Sequence, residues 1–269
     1  MSENHPVPDN SAGKASKLEL ALGLGINDFK TRFAGSFLGA IWALIVPMVT
    51  VLMYWFVFQI AMGSDQVDGH PFVLWLIAGL TPWMFFQEAA QSGCDALRSY
   101  SYLVKKVTFD IEILPMVKVM SAFVAHLGFL VIVLILYTAM GRFPGLWLLQ
   151  VLYFSFCLAF LTLGMAYLTS AVTVFFQDMR QLVTVGIQVG TWITPILWQL
   201  DRLPAKYHWL FRLNPVNYAV EGYRDALLYK SWFWERPRYM LYFWCVAIVI
   251  YVAGVRVFRK LRPHFADVL

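Results

Sequence analysis

The chain has 269 residues, of which 60% are hydrophobic, 17% aromatic and only 14% charged, with a net charge of +5. Soluble domains run at about 45–50% apolar and about 25% charged, so this composition excludes most soluble folds; it also excludes disorder, which needs few apolar side chains. It fits a single domain embedded in a bilayer, each crossing of which takes about 20 apolar residues.

Residues 1–17 are polar and carry Pro6, Pro8, Gly13, Lys14 and Lys17, so a flexible N-terminus without a cleavable signal peptide is expected there. A single membrane domain is expected over residues 18–269. Leu18, Leu22, Ile26, Phe29 and Phe33 then recur at helical spacing, with Asp28, Lys30 and Arg32 on other turns. This pattern predicts an amphipathic interface helix over 18–33, weakened by Gly23 and Gly25. Apolar blocks predict six transmembrane helices at 37–60, 71–91, 115–140, 146–176, 182–200 and 239–258, an all-α polytopic membrane fold. The fourth block exceeds what the hydrocarbon needs, so it tilts or projects toward Asp178 and Arg180. Between the second and third spans, Tyr100, Leu103, Val107 and Ile111 form a second stripe, with Lys105 and Lys106 off it. A helix over 97–112 is expected, either resting on the membrane surface or serving as a docking surface.

Lys and Arg set the orientation. Lys14, Lys17, Lys30, Arg32, Arg98, Lys105, Lys106, Arg180, Arg256, Arg259, Lys260 and Arg262 fall on one side of the six spans, whereas loop 61–70 carries Asp65 and Asp68 and no Lys or Arg. Both termini are therefore expected in the cytoplasm. Residues 201–238 oppose this pattern, because they should be external yet hold Arg202, Lys206, Arg212, Arg224, Lys230, Arg236 and Arg238. A seventh span over 207–229 would bury Arg212, Glu221, Arg224 and Asp225. A re-entrant pair of short helices over 203–230, broken at Asn214-Pro215, is the better solution, since proline disfavours helix in the residue before it.

The sequence contains no P-loop, no nucleophile elbow and no zinc-protease motif, so no catalytic constellation is expected. Cys94, Cys157 and Cys245 are far apart and apolar in context, which gives no metal site. The positive charges are sparse and lie between apolar blocks, which argues against nucleic acid. His126, alone in the third span, reads as a packed interhelical group. Glu88, Gln91 and Asp95 share a face near the end of the second span, and Lys118 lies early in the third; structural pairing fits them better than a proton relay. Glu221 and Arg224, one turn apart, are expected to pair locally. Aromatic side chains crowd the spans. Tyr54 fits an interfacial belt, but Trp42, Trp83 and Trp192 fit it poorly. Aromatic faces along a passage suit sugar rings. In the fifth span Thr184, Gln188 and Thr191 share a face, and Gly186 and Gly190 have the spacing for close helix approach. A pathway-lining helix and a tightly packed internal helix both satisfy that pattern.

Several segments together resemble the ABC-2-type transporter permeases that export cell-surface polymers. They are TRFAGSFLGAIWALIVPMVTVLMYWFVFQI and HPFVLWLIAGLTPWMFF at the first two spans, YLVKKVTFDIEILP before the third, then TPILW, LNPVNYAVEGYRDALL and the tail FRKLRPHFADVL. The third resembles a family stretch K-x-x-F-P-x-x-x-L-P, with Asp110 where the family has proline, so the helix there is free to continue. The resemblance implies a homodimer in the bacterial cytoplasmic (inner) membrane. It implies two copies of a separate cytoplasmic ATPase subunit that binds ATP and Mg, with no cofactor in this chain. The cargo would be an undecaprenyl-diphosphate-linked glycan or teichoic acid. YWFVF and PFVLWLIAGLTPW look most like wall teichoic acid permeases, while O-antigen exporters share the scaffold; an exporter of drugs or small lipids is the alternative. On this basis Trp42, Tyr54, Trp83, Gln188, Thr191 and Trp192 are pathway candidates, and Lys30, Arg32 and Lys105 are candidates for meeting a pyrophosphate. Tyr100, Leu103, Lys105, Lys106 and Val107 are candidates for coupling to the ATPase, and Asn214, Pro215, Glu221 and Arg224 for an external gate.

Overall fold

Five helices in the computed structural model, which describes residues 17–63, 66–105 and 109–269, are long and apolar enough to cross a bilayer. The first is α2 (Trp42–Trp55), which a 3-10 turn at Gly39–Ile41 and a π-helical end at Phe56–Ala61 extend to Gly39–Ala61. The others are α3 (Phe72–Cys94), α6 (Ile113–Ala139), α7 (Leu148–Phe175) and α11 (Pro237–Leu261). Shorter helices complete the chain: α1 (Lys17–Arg32), α4 (Ala96–Ser99), α5 (Ser101–Val104), α8 (Asp178–Ile193), α9 (His208–Arg212), α10 (Pro215–Arg224) and α12 (Phe265–Val268). A two-residue antiparallel ladder, Gln66–Val67 with His70–Pro71, closes the turn between α2 and α3. The protein is a multi-pass helical membrane protein.

α3 stands at the centre, packed by α6, α7, α8, α10 and α2. In its most apolar window 78% of residues are buried, against 6% for the first span. That contrast locates the core and shows that α2 lies against the rest of the chain with most of its surface bare. α8 is also largely uncovered, with Ile187 its one buried residue. α7 and α11 meet at glycines. A Cβ at Gly164 would lie 2.7 Å from the Cα of Tyr251, and a Cβ at Gly254 would overlap the Gly164 carbonyl oxygen. Lipid supplies no hydrophobic drive between helices, so this backbone approach is how the pair gains packing energy.

Several boundaries differ from those expected of the sequence. The fifth span, expected over 182–200, is the sixteen-residue helix α8, which ends before Thr194. At 1.5 Å per residue it is about 24 Å long, short of the roughly 30 Å of hydrocarbon. Pro195 stops it, and residues 194–199 run on without helix. Where the helix over 97–112 is expected, the described residues form two single turns, α4 and α5, and residues 109–112 are not helical. Asp110 does not prolong a helix; its Oδ1 accepts from the Glu112 N–H at 3.3 Å and pairs with Arg262 at 3.8 Å. α10 starts at Pro215, in a first-turn position that needs no N–H, and the Asn214 side chain caps it by accepting from Val216 N–H at 3.0 Å.

Candidate functional site

A groove of about 540 Å³ runs between the bare face of α2 and the wall formed by α3 and α6, reaching α8 at Thr191. Its sides are apolar and aromatic: Trp42, Val46, Pro47 and Tyr54 from α2, Leu80, Trp83 and Phe85 from α3, Ala122, Ala125 and Phe129 from α6. Arg32, Gln87, Glu88 and Gln91 lie at one end, on the side of the bundle that carries α1, α4 and α5. Trp83 is fixed by its neighbours. Its ring stands 5.4 Å from that of Phe86, and a Cβ at Gly190 of α8 would lie 2.8 Å from its outer edge. Gly190 is thus the gap that lets α8 close over Trp83. Gly186, its spacing partner in sequence, faces open space.

Ion pairs hold the basic end of this groove together. Arg32 of α1 pairs with Glu88 of α3, and Arg180 of α8 pairs with Asp95 at 3.0 Å. Gln91 reaches Thr184 at 3.4 Å. Asp28 of α1 is buried against α6, where its Oδ1 accepts from Lys118 Nζ at 2.8 Å and from Tyr100 Oη at 2.5 Å. Burial raises the Asp28 pKa, but the Lys118 and Tyr100 hydrogen bonds outweigh it and hold the carboxyl below its ordinary range. One carboxylate therefore joins α1, α6 and the α4–α5 turns. Farther along this end, Arg259 in the last turn of α11 and Arg262 just beyond it pair with Glu112 at 3.3 and 3.2 Å.

The opposite end holds a second, polar cavity of about 440 Å³, lined by Asp68, Trp75, Asp201, Arg212, Glu221 and Arg224 among others. Arg224 is its anchor. It is buried, lies over the Trp75 ring at 3.7 Å, and donates to the carbonyl oxygens of Pro195 and Ile196 at 2.7 and 2.8 Å. These carbonyls lie in the non-helical segment that follows α8. Glu221 and Arg224 do not pair with each other as expected. Arg224 turns toward the 195–196 backbone, and Glu221 accepts from Arg236 at 3.0 Å and from Asn217 at 3.0 Å. Asp225, also bridged to Arg236, is pushed up to about 6 by burial. Asn214 ties the start of α10 to the end of α8 by donating to Thr194 Oγ1 at 2.8 Å.

A bare apolar span thus stands beside an aromatic groove, with ion pairs at one end and a broken polar segment at the other. The profile of the ABC-2 type transporter family matches residues 22–228. The chain belongs to this family. Over 243 residues it is 26% identical to an O-antigen export system permease protein, RfbA, of Klebsiella pneumoniae, which covers 90% of this chain and 92% of the relative. It is 26% identical over 258 residues to the RfbA of Myxococcus xanthus, covering 92% and 94%. It is 23% identical over 207 residues to the polysialic acid transport protein KpsM of Escherichia coli, covering 76% and 80%.

Within this ABC-2 chain, the structure gathers Trp42, Tyr54, Trp83, Thr191 and Arg32 into the groove. Gln188 and Trp192 are exposed on α8 and do not line it. Lys30 and Lys105 are exposed and also lie outside it. Tyr100 and Leu103 pack on the apolar cluster beneath α4 and α5, and Lys106 and Val107 lie outside the described residues. Asp28 was missed because the predicted face of α1 was chosen by apolar side chains. Leu22 and Ile26 stay exposed, while Ala21, Gly25 and Asp28 turn toward α6. The available signal was Lys118, a lone cation early in an apolar span that needs an anionic partner, and the structure supplies Asp28 as that partner. His126 is the interhelical group expected, joined through Nε2 to Ser155 of α7 and Tyr223 of α10, and it also lines the groove.

Proposed function

We propose that this chain is the permease subunit of an ATP-driven exporter that moves a lipid-linked cell-surface polysaccharide across the bacterial cytoplasmic membrane. The observation that carries this reading is the aromatic groove between α2 and the α3–α6 wall. Rings at Trp42, Tyr54 and Trp83 suit the apolar faces of sugars, and Arg32 at its basic end suits a pyrophosphate linkage such as that of an undecaprenyl-diphosphate-linked glycan. The names of the relatives support an O-antigen-type polysaccharide over wall teichoic acid.

The bare surfaces of α2 and α8 flank the groove, and a second copy of the chain would enclose it, which supports a homodimer. Excess Lys and Arg beside α1, α4, α5 and the C-terminal tail supports a cytoplasmic location for that end. There α4 and α5, carrying Tyr100, Leu103 and Lys105, offer a surface to a separate ATPase subunit, present in two copies, which would hold the ATP and Mg. Closure of the ATPase pair would press on α4–α5, and Asp28 would pass that motion to α1 and α6. At the far end, α9 and α10 would gate the exit, with Arg224 holding them to the end of α8.

The test is deletion of the chain's gene in its own host, followed by complementation and affinity purification of the tagged chain. Restored surface polysaccharide and a co-purifying P-loop ATPase are expected. Normal surface glycan in the deletion strain, with no ATPase on the purified chain, would overturn the proposal.

A further inference from the structure

His126 sits near the middle of α6, 5% exposed, with its ring stacked on Phe85 at 4.7 Å. Its Nε2 lies 2.8 Å from Tyr223 Oη of α10 and 3.2 Å from Ser155 Oγ of α7. Ser155 Oγ is in turn 2.7 Å from the Val151 carbonyl oxygen and 2.5 Å from Tyr223 Oη. Counting protons fixes the direction of this network. The carbonyl can only accept, so the Ser155 hydroxyl donates to it. The Tyr223 hydroxyl must then donate to Ser155, and no proton is left for the contact between Tyr223 and His126 unless Nε2 carries it. The neutral ring is therefore the Nε2–H tautomer, with a free lone pair on Nδ1. Nδ1 has no hydrogen-bond partner among the described residues, and His126 is one of the groove's lining residues.

The threonine hydroxyls among the groove's lining residues are committed in the same sense. Thr50 donates to Val46 O, Thr81 to Ile77 O and Thr191 to Ile187 O, at 3.0, 2.6 and 3.0 Å. With their protons so committed, these hydroxyls keep only acceptor capacity, as Nδ1 does. A chain rich in hydroxyl donors is the matching ligand.

Resting on the export function proposed above, we propose that His126 Nδ1 accepts a hydrogen bond from a sugar hydroxyl as the glycan passes the middle of the groove. The Ser155–Tyr223 network sets the tautomer beforehand, so the acceptor needs no reorganisation when a sugar arrives.

The experiment compares wild type, His126→Gln and His126→Asn in the deletion strain, reading the rate of surface-glycan appearance at matched permease levels. Glutamine reaches the Nε2 position and keeps a donor for Tyr223, but leaves the Nδ1 position empty. Asparagine reaches the Nδ1 position and restores an acceptor there. His126→Gln is expected to slow export by about three- to tenfold, the worth of one neutral hydrogen bond, and His126→Asn to recover part of the loss. Wild-type export by His126→Gln, or no advantage for His126→Asn, overturns the role of His126. Failure of the wild-type gene to restore glycan overturns the export function instead. Nitrogen-15 NMR of the histidine-labelled full chain in lipid nanodiscs reads the tautomer without any need for an active variant. The signal lost in His126→Gln should be that of an Nε2–H ring, and an Nδ1–H ring there contradicts the proposal.

Discussion

Lys118 and Asp28 meet where α1 lies on α6, with side chains 13% and 8% exposed, and each neutralises a charge that would otherwise be stranded among apolar groups. Removing one member of a buried pair costs about 3–5 kcal/mol, more than the pair itself contributes. Lys118→Met should therefore lower the thermal midpoint of the purified protein in detergent, and Lys118→Met with Asp28→Leu should recover much of the loss. Asp225 provides a pH-dependent counterpart. Burial raises its pKa from 3.8 to about 6, so the folded chain holds this proton more tightly than the unfolded one. The protonated form is the favoured one, and its stabilisation is fully present below 3.8 and is lost as pH rises through about 6, at up to about 1.4 kcal/mol per pH unit. Thermal melts of wild type should thus decline over that window, and Asp225→Asn should flatten the decline. A slope unchanged by the substitution would show that Asp225 is not the group responsible.

At the scale of elements, the α7–α11 contact depends on the absence of side chains at Gly164 and Gly254. Gly254→Val sets a Cβ against the Gly164 carbonyl oxygen and adds two methyl groups to it, so the helices must separate. A fall in folded yield after detergent extraction is expected, larger than for Gly186→Val, whose site is open. Equal yields for the two would contradict the packing described. Element positions were legible in the sequence wherever apolar length alone decides them, as at α3, α6, α7 and α11. Legibility failed where a boundary depends on a distant partner. Apolar residues continue past Ile193, but Pro195 stops α8, and Arg224, from a helix that begins at Pro215, takes up the Pro195 and Ile196 carbonyls of the segment that follows. The stretch 97–112 has helical periodicity, yet its described residues form only the single turns α4 and α5, and Asp110 bonds to backbone and to Arg262 instead of extending a helix. The candidate site was legible in part for the same reason. Trp42, Tyr54 and Trp83 stood out as aromatics with no interfacial place. Periodicity could not tell that Trp192, on the same helix as Thr191, points away from the groove.

On the scale of the whole molecule, buried charge lies at the two ends and the aromatic groove lies between them. α3 forms the fixed wall, α2 the thinly held one, and the Asp28 junction connects the groove's basic end to the α4–α5 turns. A wall held on one side is suited to parting from its neighbour, which a passage for a polymer requires. The central claim is that glycan travels along this groove. The most direct measurement places a photoreactive amino acid at Thr50, inside the groove, and at Val249, exposed on α11, in cells exporting polysaccharide. Irradiation should attach glycan to the chain from position 50 and not from position 249. Equal labelling at both, or labelling from 249 alone, would contradict the groove as the path.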